Sequence, residues 1–471
     1  MTQYKYLAKN IGILAISQFG VKLLSFFLVP LYTSILTTEE YGIYDLFSTT
    51  ILLLIPFVTL NILEATLRFS LDKESDNSQV FSISILYLLK GTIIVTVFLF
   101  LNHIFKIIGV IDKYAFYFWA LFFLTTLTNI LTSFVRGIEH ITDLAISGVI
   151  CSIVLILLNI IFLIPMHLGL KGYFLANCLG FGSQCIYLII RIQIWKYFKV
   201  EIKNYKLQKA MLAYCKPLIA NSVAWWINNA SDRYIVTWIC GIAENGIYSV
   251  SYKIPSILNI FQQIFSQAWT ISAVKDFDPE DKDGFFSKMY NLYNFGMTII
   301  CSFLIIIARI LAQFLYAKEF FLAWRYTPFL LIAIVFGSLS GYIGGIFSAI
   351  KNSKIFAQST VIGAIVNIIL NIVLVKVVGA MGAAFATAIS YWIVWAIRRK
   401  HMKKYLNIEL NLIRDYSAYF ILIVQTVTLL VLWKNVILLY LAQIILFLIN
   451  ILLFYPQVKF LTGKLLCKCK K

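Results

Sequence analysis

Apolar runs of about twenty residues recur from one end of the chain to the other, separated by short polar connections. That length matches an α-helix crossing ~30 Å of hydrocarbon. The pattern predicts spans near 10–32, 43–66, 81–103, 114–136, 142–165, 169–192, 212–237, 246–270, 287–311, 325–349, 355–378, 379–398, 416–434 and 436–456. No small-residue cleavage site follows the first run, which therefore reads as a spanning helix and not a removable leader. The expected fold is all-α: a polytopic membrane protein of about 14 transmembrane helices.

Within this pattern the chain repeats itself. Glu40-Tyr-Gly42-Ile-Tyr44 opens the second span, and Glu244-Asn-Gly246-Ile-Tyr248 opens the eighth. Leu158-Asn159-Ile160 in the fifth returns as Leu370-Asn371-Ile372 in the eleventh, and Gly169-Leu-Lys-Gly172 returns as Gly379-Ala-Met-Gly382. Three matches in the same order are hard to attribute to chance. Six spans separate the copies, so both enter the membrane in the same direction. The expectation is two six-helix lobes in a parallel repeat plus two C-terminal helices, a design that recurs among transporters. The expected boundaries are an N-lobe at 1–195, an interfacial linker at 196–211, a C-lobe at 212–400, and the last two spans with a basic tail at 401–471. Trp195, Tyr197 and Tyr205 are expected at headgroup level along the linker.

Composition agrees with lipid as the solvent: 61% of residues are hydrophobic and 13% charged, against about 25% charged in soluble domains. The net charge of +19 does not point to nucleic acid, because most of the bases sit in alternate inter-helix connections. These include Lys5, Lys9, the clusters Arg191–Lys209 and Arg398–Lys404, and the tail Lys459–Lys471. By the positive-inside rule both termini are expected in the cytoplasm. The eight cysteines show no zinc or disulfide spacing; Cys467 and Cys469 read as part of a solvated tail. The stretch Asp276–Gly284 has neither calcium-loop spacing nor a convincing catalytic pair, and is expected to be a wet loop.

Charges inside the spans change the picture. A base at the bilayer centre costs about 2.5–3.5 kcal/mol on insertion scales, yet Lys22, Lys90, Lys216, Arg233 and Lys253 fall within spans, as do the acids Asp45, Glu64 and Asp232. Most of the bases must face a water-filled cavity or a partner; an internal salt bridge is the alternative for each. Glu64 and Arg68 are four apart, so a local ion pair is expected. Asp45 and Glu64, nineteen residues apart, would stand about 28 Å from each other on one continuous helix. The seventh span carries Asn221, Trp225, Asn228 and Asp232 on one face, and the first carries Gln18, Lys22 and Ser25. Amides beside an aromatic ring suit sugars, whereas interhelical hydrogen bonding is the plainer reading. Gly337, Gly341 and Gly345 form a small-residue stripe expected to serve packing.

No Gly-x-x-x-x-Gly-Lys-Ser/Thr phosphate loop occurs, and neither a nucleophile–base motif nor a histidine cluster stands out. A non-enzymatic protein without a cofactor is expected.

The run Asn10-Ile-Gly12, Gly20-Val-Lys22, Val29-Pro30-Leu-Tyr32 and Glu40-Tyr-Gly42-Ile-Tyr44-Asp45, continuing to Glu64-Ala and Arg68-Phe69, resembles the polysaccharide-unit flippases of Wzx type. These belong to the multidrug/oligosaccharidyl-lipid/polysaccharide exporter superfamily. Asp232-Arg233-Tyr234, Gly246-Ile-Tyr248 and Tyr252-Lys253-Ile-Pro255 are similar to the same family's second half. The resemblance implies two lobes around a cavity open alternately to each side of a bacterial inner membrane. It also implies a cargo of undecaprenyl-diphosphate-linked oligosaccharide, flipped to the outer leaflet. Lys22, Arg68 and Lys253 lie roughly where the related lipid II flippases place diphosphate-binding arginines; Lys90, Lys216 and Arg233 complete the candidate cationic set. Gln18, Asn221, Trp225 and Asn228 are the candidate sugar contacts, and Asp45, Glu64 and Asp232 the candidate sites for a coupling H+ or Na+. Membrane lipids, a polysaccharide polymerase and chain-length proteins are the candidate partners. The alternatives are a drug/cation antiporter of the same fold, a flippase for another lipid-linked precursor such as lipid II, and a membrane polysaccharide polymerase. An antiporter would carry carboxylates where this chain has lysines, and a polymerase would need a large external loop.

Overall fold

A computed structural model describes residues 26–72, 75–199, 204–275, 277–350 and 353–460. Every regular element among them is helical. The first eight helices are α1 (Val29–Ile35), α2 (Thr38–Val58), α3 (Ile62–Ser70), α4 (Asn77–Phe105), α5 (Gly109–Lys113), α6 (Ala115–Gly137), α7 (Ile141–Leu163) and α8 (Gly169–Ile192). Then come α9 (Tyr205–Cys240), α10 (Ile242–Ser251), α11 (Pro255–Lys275), α12 (Phe285–Leu315), α13 (Thr327–Ala349), α14 (Ser353–Val378), α15 (Ala380–Met402), α16 (Leu412–Val431) and α17 (Val436–Leu453). Each expected span from the second to the fourteenth coincides with one helix or a consecutive pair; the first lies mostly outside the described residues. Among the described residues, 11 helices are long and apolar enough to cross a membrane. The chain folds as two compact units, Met1–Ala230 and Ser231–Lys471.

In the first unit the core is apolar and aromatic. Phe81 and Phe134 meet at 4.9 Å, surrounded by buried Leu88, Ile130, Leu131 and Leu188. A second cluster is built from tyrosines: Tyr32 stacks on Tyr41 at 5.0 Å, and Tyr44 meets Tyr173 edge-on at 4.5 Å. The Tyr44 hydroxyl donates to Asn177 Oδ1 at 3.0 Å, which satisfies the polar end of a ring otherwise enclosed by carbon.

The second expected span is broken. α2 ends at Val58, Leu60 and Asn61 take left-handed φ of 53° and 55°, and α3 restarts at Ile62. Irregular backbone at membrane depth persists only where protein satisfies it. The Asn61 carbonyl accepts from Cys215 Sγ at 3.3 Å, and the Asn61 side chain anchors the turn by donating Nδ2 to Ser222 Oγ at 3.2 Å. The 28 Å separation expected for Asp45 and Glu64 assumed a continuous helix and therefore does not apply.

In the second unit α13 is the central helix, with 83% of its apolar window buried, whereas α17 buries 17%. The apolar α16–α17 pair docks through a polar seam: Ser302 Oγ donates to Gln425 Oε1 at 2.7 Å, and Gln443 Nε2 donates to the Gln425 carbonyl at 2.7 Å. The eighth span is also interrupted, at residues 252–254. Pro255 has no N–H for the Ser251 carbonyl, its partner four residues back. Thr327 Oγ1 lies 3.3 Å from that carbonyl and 3.1 Å from the Ala323 carbonyl, so its one proton is shared between them, and the Tyr316 hydroxyl donates to the Val250 carbonyl at 3.1 Å.

The internal repeat is visible in the backbone. Glu40 and Glu244 both sit in the first turn of a helix. Gly169 and Gly379 both have positive φ, 53° and 67°, at the turn that opens the second helix of a tight hairpin. The glycine three residues later lies against the preceding helix in both copies. A Cβ on Gly172 would stand 3.0 Å from Phe162 Cβ, and one on Gly382 would stand 2.4 Å from the Leu374 backbone. The same sequence thus makes the same hairpin twice.

Candidate functional site

The residues singled out from the sequence fall into two groups, one within each unit. Lys22 and Gln18 lie outside the described residues.

In the first unit, Arg68 ends the short helix α3, Lys90 lies near the midpoint of α4, and Lys216 lies in the first third of α9. All three are exposed, and none forms an ion pair among the described residues. Their helices touch. Phe69 meets Tyr214 edge-on at 6.1 Å, joining α3 to α9. Gln208 Nε2 donates to the Tyr87 hydroxyl at 3.1 Å, joining α9 to α4. Lys90 Nζ rests 4.9 Å from the Tyr87 ring centroid, an attraction that keeps the ammonium charge unneutralised. Glu64 is exposed one turn before Arg68, yet the expected Glu64–Arg68 ion pair does not form. On a nine-residue helix both side chains extend outward, and the i,i+4 attraction of a few tenths of a kcal/mol does not hold them together. Asn221 and Trp225 are exposed on one face of α9, Trp225 at 58%. Asn228 is half-buried and its Nδ2 returns to the Ala224 carbonyl at 2.8 Å, so this amide is partly spent on its own helix. Asp45 is buried in α2 beside the tyrosine cluster.

In the second unit the group centres on Asp232, which is 3% exposed. Tyr248 and Tyr252 both donate to Asp232 Oδ2 at 2.6 Å, and the Arg233 N–H donates to Oδ1 at 2.9 Å. These three hydrogen bonds hold the carboxyl in one position. The Arg233 guanidinium lies over the Tyr252 ring at 5.1 Å. Lys253 follows in the break between α10 and α11, half-buried. Tyr252, in the break just before Pro255, thus meets both charges of α9, Asp232 through its hydroxyl and Arg233 through its ring.

Several buried polar residues were not expected. Asp281, assigned to a wet loop, is 8% exposed and anchors the start of α12, accepting from the Phe286 and Ser287 N–H groups at 2.9 and 2.8 Å. Only its offset from the following helix could have disclosed this cap. Arg398, assigned to a basic surface cluster, is 4% exposed. α15 continues to Met402, which turns Arg398 inward to donate to Ser359 Oγ, the Ser340 carbonyl and Thr360 Oγ1 at 2.8–2.9 Å. Arg414 and Asp415 form a buried ion pair of 2.7 Å at the start of α16.

Residues 7–270, more than half of the chain, match the polysaccharide biosynthesis protein family. The chain belongs to that family. A curated relative is the probable low-salt glycan biosynthesis flippase Agl15 of Haloferax volcanii, 19% identical over 209 residues, which are 44% of this chain and 44% of that protein. The chain thus aligns with less than half the length of this relative. Among solved structures it is similar to the lipid II flippase MurJ in an inward closed conformation, with a TM-score of 0.69 and 15% identity over 96% of this chain and 99% of the other. It is also similar to an inward-facing multidrug resistance MATE family transporter of the MOP superfamily, with a TM-score of 0.66 and 13% identity over 83% and 98%. At these identities the likeness concerns the fold. The family member described here is a multi-pass membrane protein with the fold of these exporters, as the resemblance in its sequence implied.

Proposed function

We propose that the chain is a flippase for undecaprenyl-diphosphate-linked oligosaccharide units, moving them from the cytoplasmic to the outer leaflet of a bacterial inner membrane by alternating access. The observation that carries this reading is that Arg68, Lys90 and Lys216 lie on contacting helices of the first unit, exposed and without carboxylate partners. An unpaired base midway along a span, as Lys90 is in α4, is costly unless it serves a charged cargo. A diphosphate supplies the matching charge. Arg68 offers it a fork of N–H donors, whereas Lys90 and Lys216 act as point charges that tolerate several phosphate positions. Arg233 and Lys253 extend the cationic set in the second unit, and Lys22 in the first span completes it. Gln18, Asn221, Trp225 and Asn228 supply amide and ring surface for sugars. An exporter of cationic drugs would carry carboxylates at these positions, so the surplus of bases favours the glycan lipid.

The same reading assigns the lobes to 1–195 and 212–400 with both termini cytoplasmic, and couples transport to H+ or Na+ through Asp45, Glu64 or Asp232. Asp232 is favoured among the three because enclosure and three donors make its occupancy sensitive to any change around it. The test is complementation of a flippase-null strain with Lys22→Ala, Arg233→Ala and Lys253→Ala at matched expression. Loss of surface polysaccharide is expected for each; normal polysaccharide in all three would overturn the assigned site.

A further inference from the structure

Bases are scarce in half of the connections, yet four of them gather at one end of the second unit. The segment between α12 and α13 carries Lys318 and Arg325 with one acid, Glu319, and the turn between α16 and α17 carries Lys434. Arg309, six residues before the end of α12, joins them. Its guanidinium lies 5.9 Å from the Trp324 ring and 5.5 Å from the Trp433 ring. Arg325 lies over Trp324 at 5.8 Å, and Lys434 over Trp433 at 5.6 Å. Cation and indole therefore alternate through five side chains: Arg325, Trp324, Arg309, Trp433 and Lys434.

Ring faces attract cations without neutralising them, and Arg309, Arg325 and Lys434 form no ion pair among the described residues. Three like charges this close repel one another until an anion joins them. Arg309 also shows where the anion goes. Its Nη1 donates to the Trp433 carbonyl, while its Nε is enclosed with no acceptor. Nε is thus closed to an incoming ion, which leaves Nη2 as the guanidinium donor for an anion's oxygen. Depth narrows the choice. α12 has 31 residues, about 46 Å of helix, which exceeds the hydrocarbon thickness by roughly 16 Å. Its last turns therefore reach the headgroup layer, where tryptophan also concentrates.

We propose that Arg309, with Arg325 and Lys434 held around Trp324 and Trp433, binds the phosphate of an anionic lipid headgroup at the membrane–water boundary. The site lies wholly within the second unit and does not depend on which cargo the protein moves. A phosphodiester phospholipid and a prenyl diphosphate share the necessary chemistry.

The experiment is native mass spectrometry of the full chain in detergent, titrated with phosphatidylglycerol and challenged with farnesyl diphosphate or inorganic pyrophosphate. Wild type is expected to retain phosphatidylglycerol roughly tenfold better than Arg309→Gln, with Arg309→Lys intermediate because it keeps the charge but not the planar group held between the two indoles. Lys376→Gln, an exposed base elsewhere, should match wild type. Displacement by farnesyl diphosphate would identify a prenyl diphosphate as the source of the phosphate and uphold the site. Displacement by pyrophosphate alone would overturn the lipid assignment. If Arg309→Gln does not fold, the exposed Lys434→Gln and half-buried Arg325→Gln carry the same test. Equal retention by wild type and all of these variants would overturn the proposal.

Discussion

Asn159 and Asn371, the same residue in the two copies of the repeat, each donate Nδ2 to the carbonyl four residues back at 2.8 Å, and in both the Oδ1 is enclosed without a donor. They differ in one contact: Asn371 Nδ2 also reaches Asn367 Oδ1 at 2.9 Å. Leucine at position 159 removes an unsatisfied buried carbonyl along with a local hydrogen bond, so Asn159→Leu is expected to change stability by less than about 1 kcal/mol. Asn371→Leu takes the donor from Asn367 and is expected to destabilise by roughly 1–2 kcal/mol. Thermal unfolding in detergent, read for both variants under one condition, checks the difference. Equal melting temperatures would contradict this account.

The hairpin glycines give a sharper contrast. A Cβ at Gly382 meets the Leu374 backbone carbonyl at 2.4 Å, and no rotamer change relieves that clash, whereas Gly341 has nothing within 4 Å. Gly382→Ala is expected to cost about 1–3 kcal/mol or more and to lower the yield of folded protein. Gly341→Ala should behave as wild type, although both are glycines in spans. Size-exclusion profiles and melting curves separate the two.

These contrasts also show what could be read before the structure. Periodicity placed the spans, and the three repeated motifs identified hairpins whose backbones agree. The break at Leu60–Asn61 was hidden, because it lies inside an apolar run and is stabilised by Ser222 and Cys215, far away in sequence. Pro255 announced the second break, but nothing local announced that Thr327 would take over the freed carbonyl. Asp281 and Arg398 were assigned to water for a related reason: each lies in a charged stretch near a span end, where a shift of one helical turn decides between surface and core. For the candidate site, the residue types were legible, Asp232 and Arg233 among them as neighbours in sequence. The two tyrosines that hold Asp232 were legible only as part of a family-like motif, because their hydroxyl bonds depend on how α10 meets α9.

Thr327 and Pro255 can be tested as a pair. In the native chain Thr327→Val leaves the Ser251 carbonyl without the Oγ1–H and is expected to cost about 1 kcal/mol. Pro255→Ala restores an N–H four residues on, so the same Thr327→Val change should cost clearly less in that background. A double-mutant cycle on melting free energies measures the coupling. Additive effects would mean that the threonine does not stand in for the missing N–H.

Tyr252 has two roles that separate chemically. Tyr252→Phe removes a hydroxyl from Asp232 Oδ2 but keeps a ring beneath Arg233, whereas Tyr252→Leu removes both. If the position of Arg233 matters to the proposed cargo, surface polysaccharide should fall more with leucine than with phenylalanine at matched expression. If the Asp232 hydrogen bond is what matters, the two variants should fall alike. The ratio of the two therefore identifies which contact the activity depends on.

Asp76 ties the start of α4 to the segment after α8, outside the spans, and gives a pH dependence with a definite sign. It accepts from Lys199 Nζ and from the Ser78 N–H at the start of α4, both at 2.9 Å. The Lys199 hydrogen bond, aided by that N–H, holds its carboxyl below the ordinary aspartate value of 3.8. A group whose folded pKa lies below its unfolded value stabilises the fold fully above the unfolded pKa, and loses that contribution as pH falls through the folded one. The contribution should therefore be intact at neutral pH and disappear below about pH 4. This pH-dependent part is small, a few tenths of a kcal/mol, because the Lys199 pair is roughly half exposed and screened by water and salt; the neutral cap, about 0.5–2 kcal/mol, does not titrate away. Asp76→Asn keeps the capping oxygen and loses only the charge, so it should cost a few tenths of a kcal/mol; Asp76→Ala should cost about 1 kcal/mol. Between pH 7 and pH 3 the wild-type melting temperature is expected to approach that of Asp76→Asn, while Asp76→Ala stays below both, because a protonated carboxyl still caps the helix. A gap between wild type and Asp76→Asn that stays constant with pH would show that the charge contributes nothing.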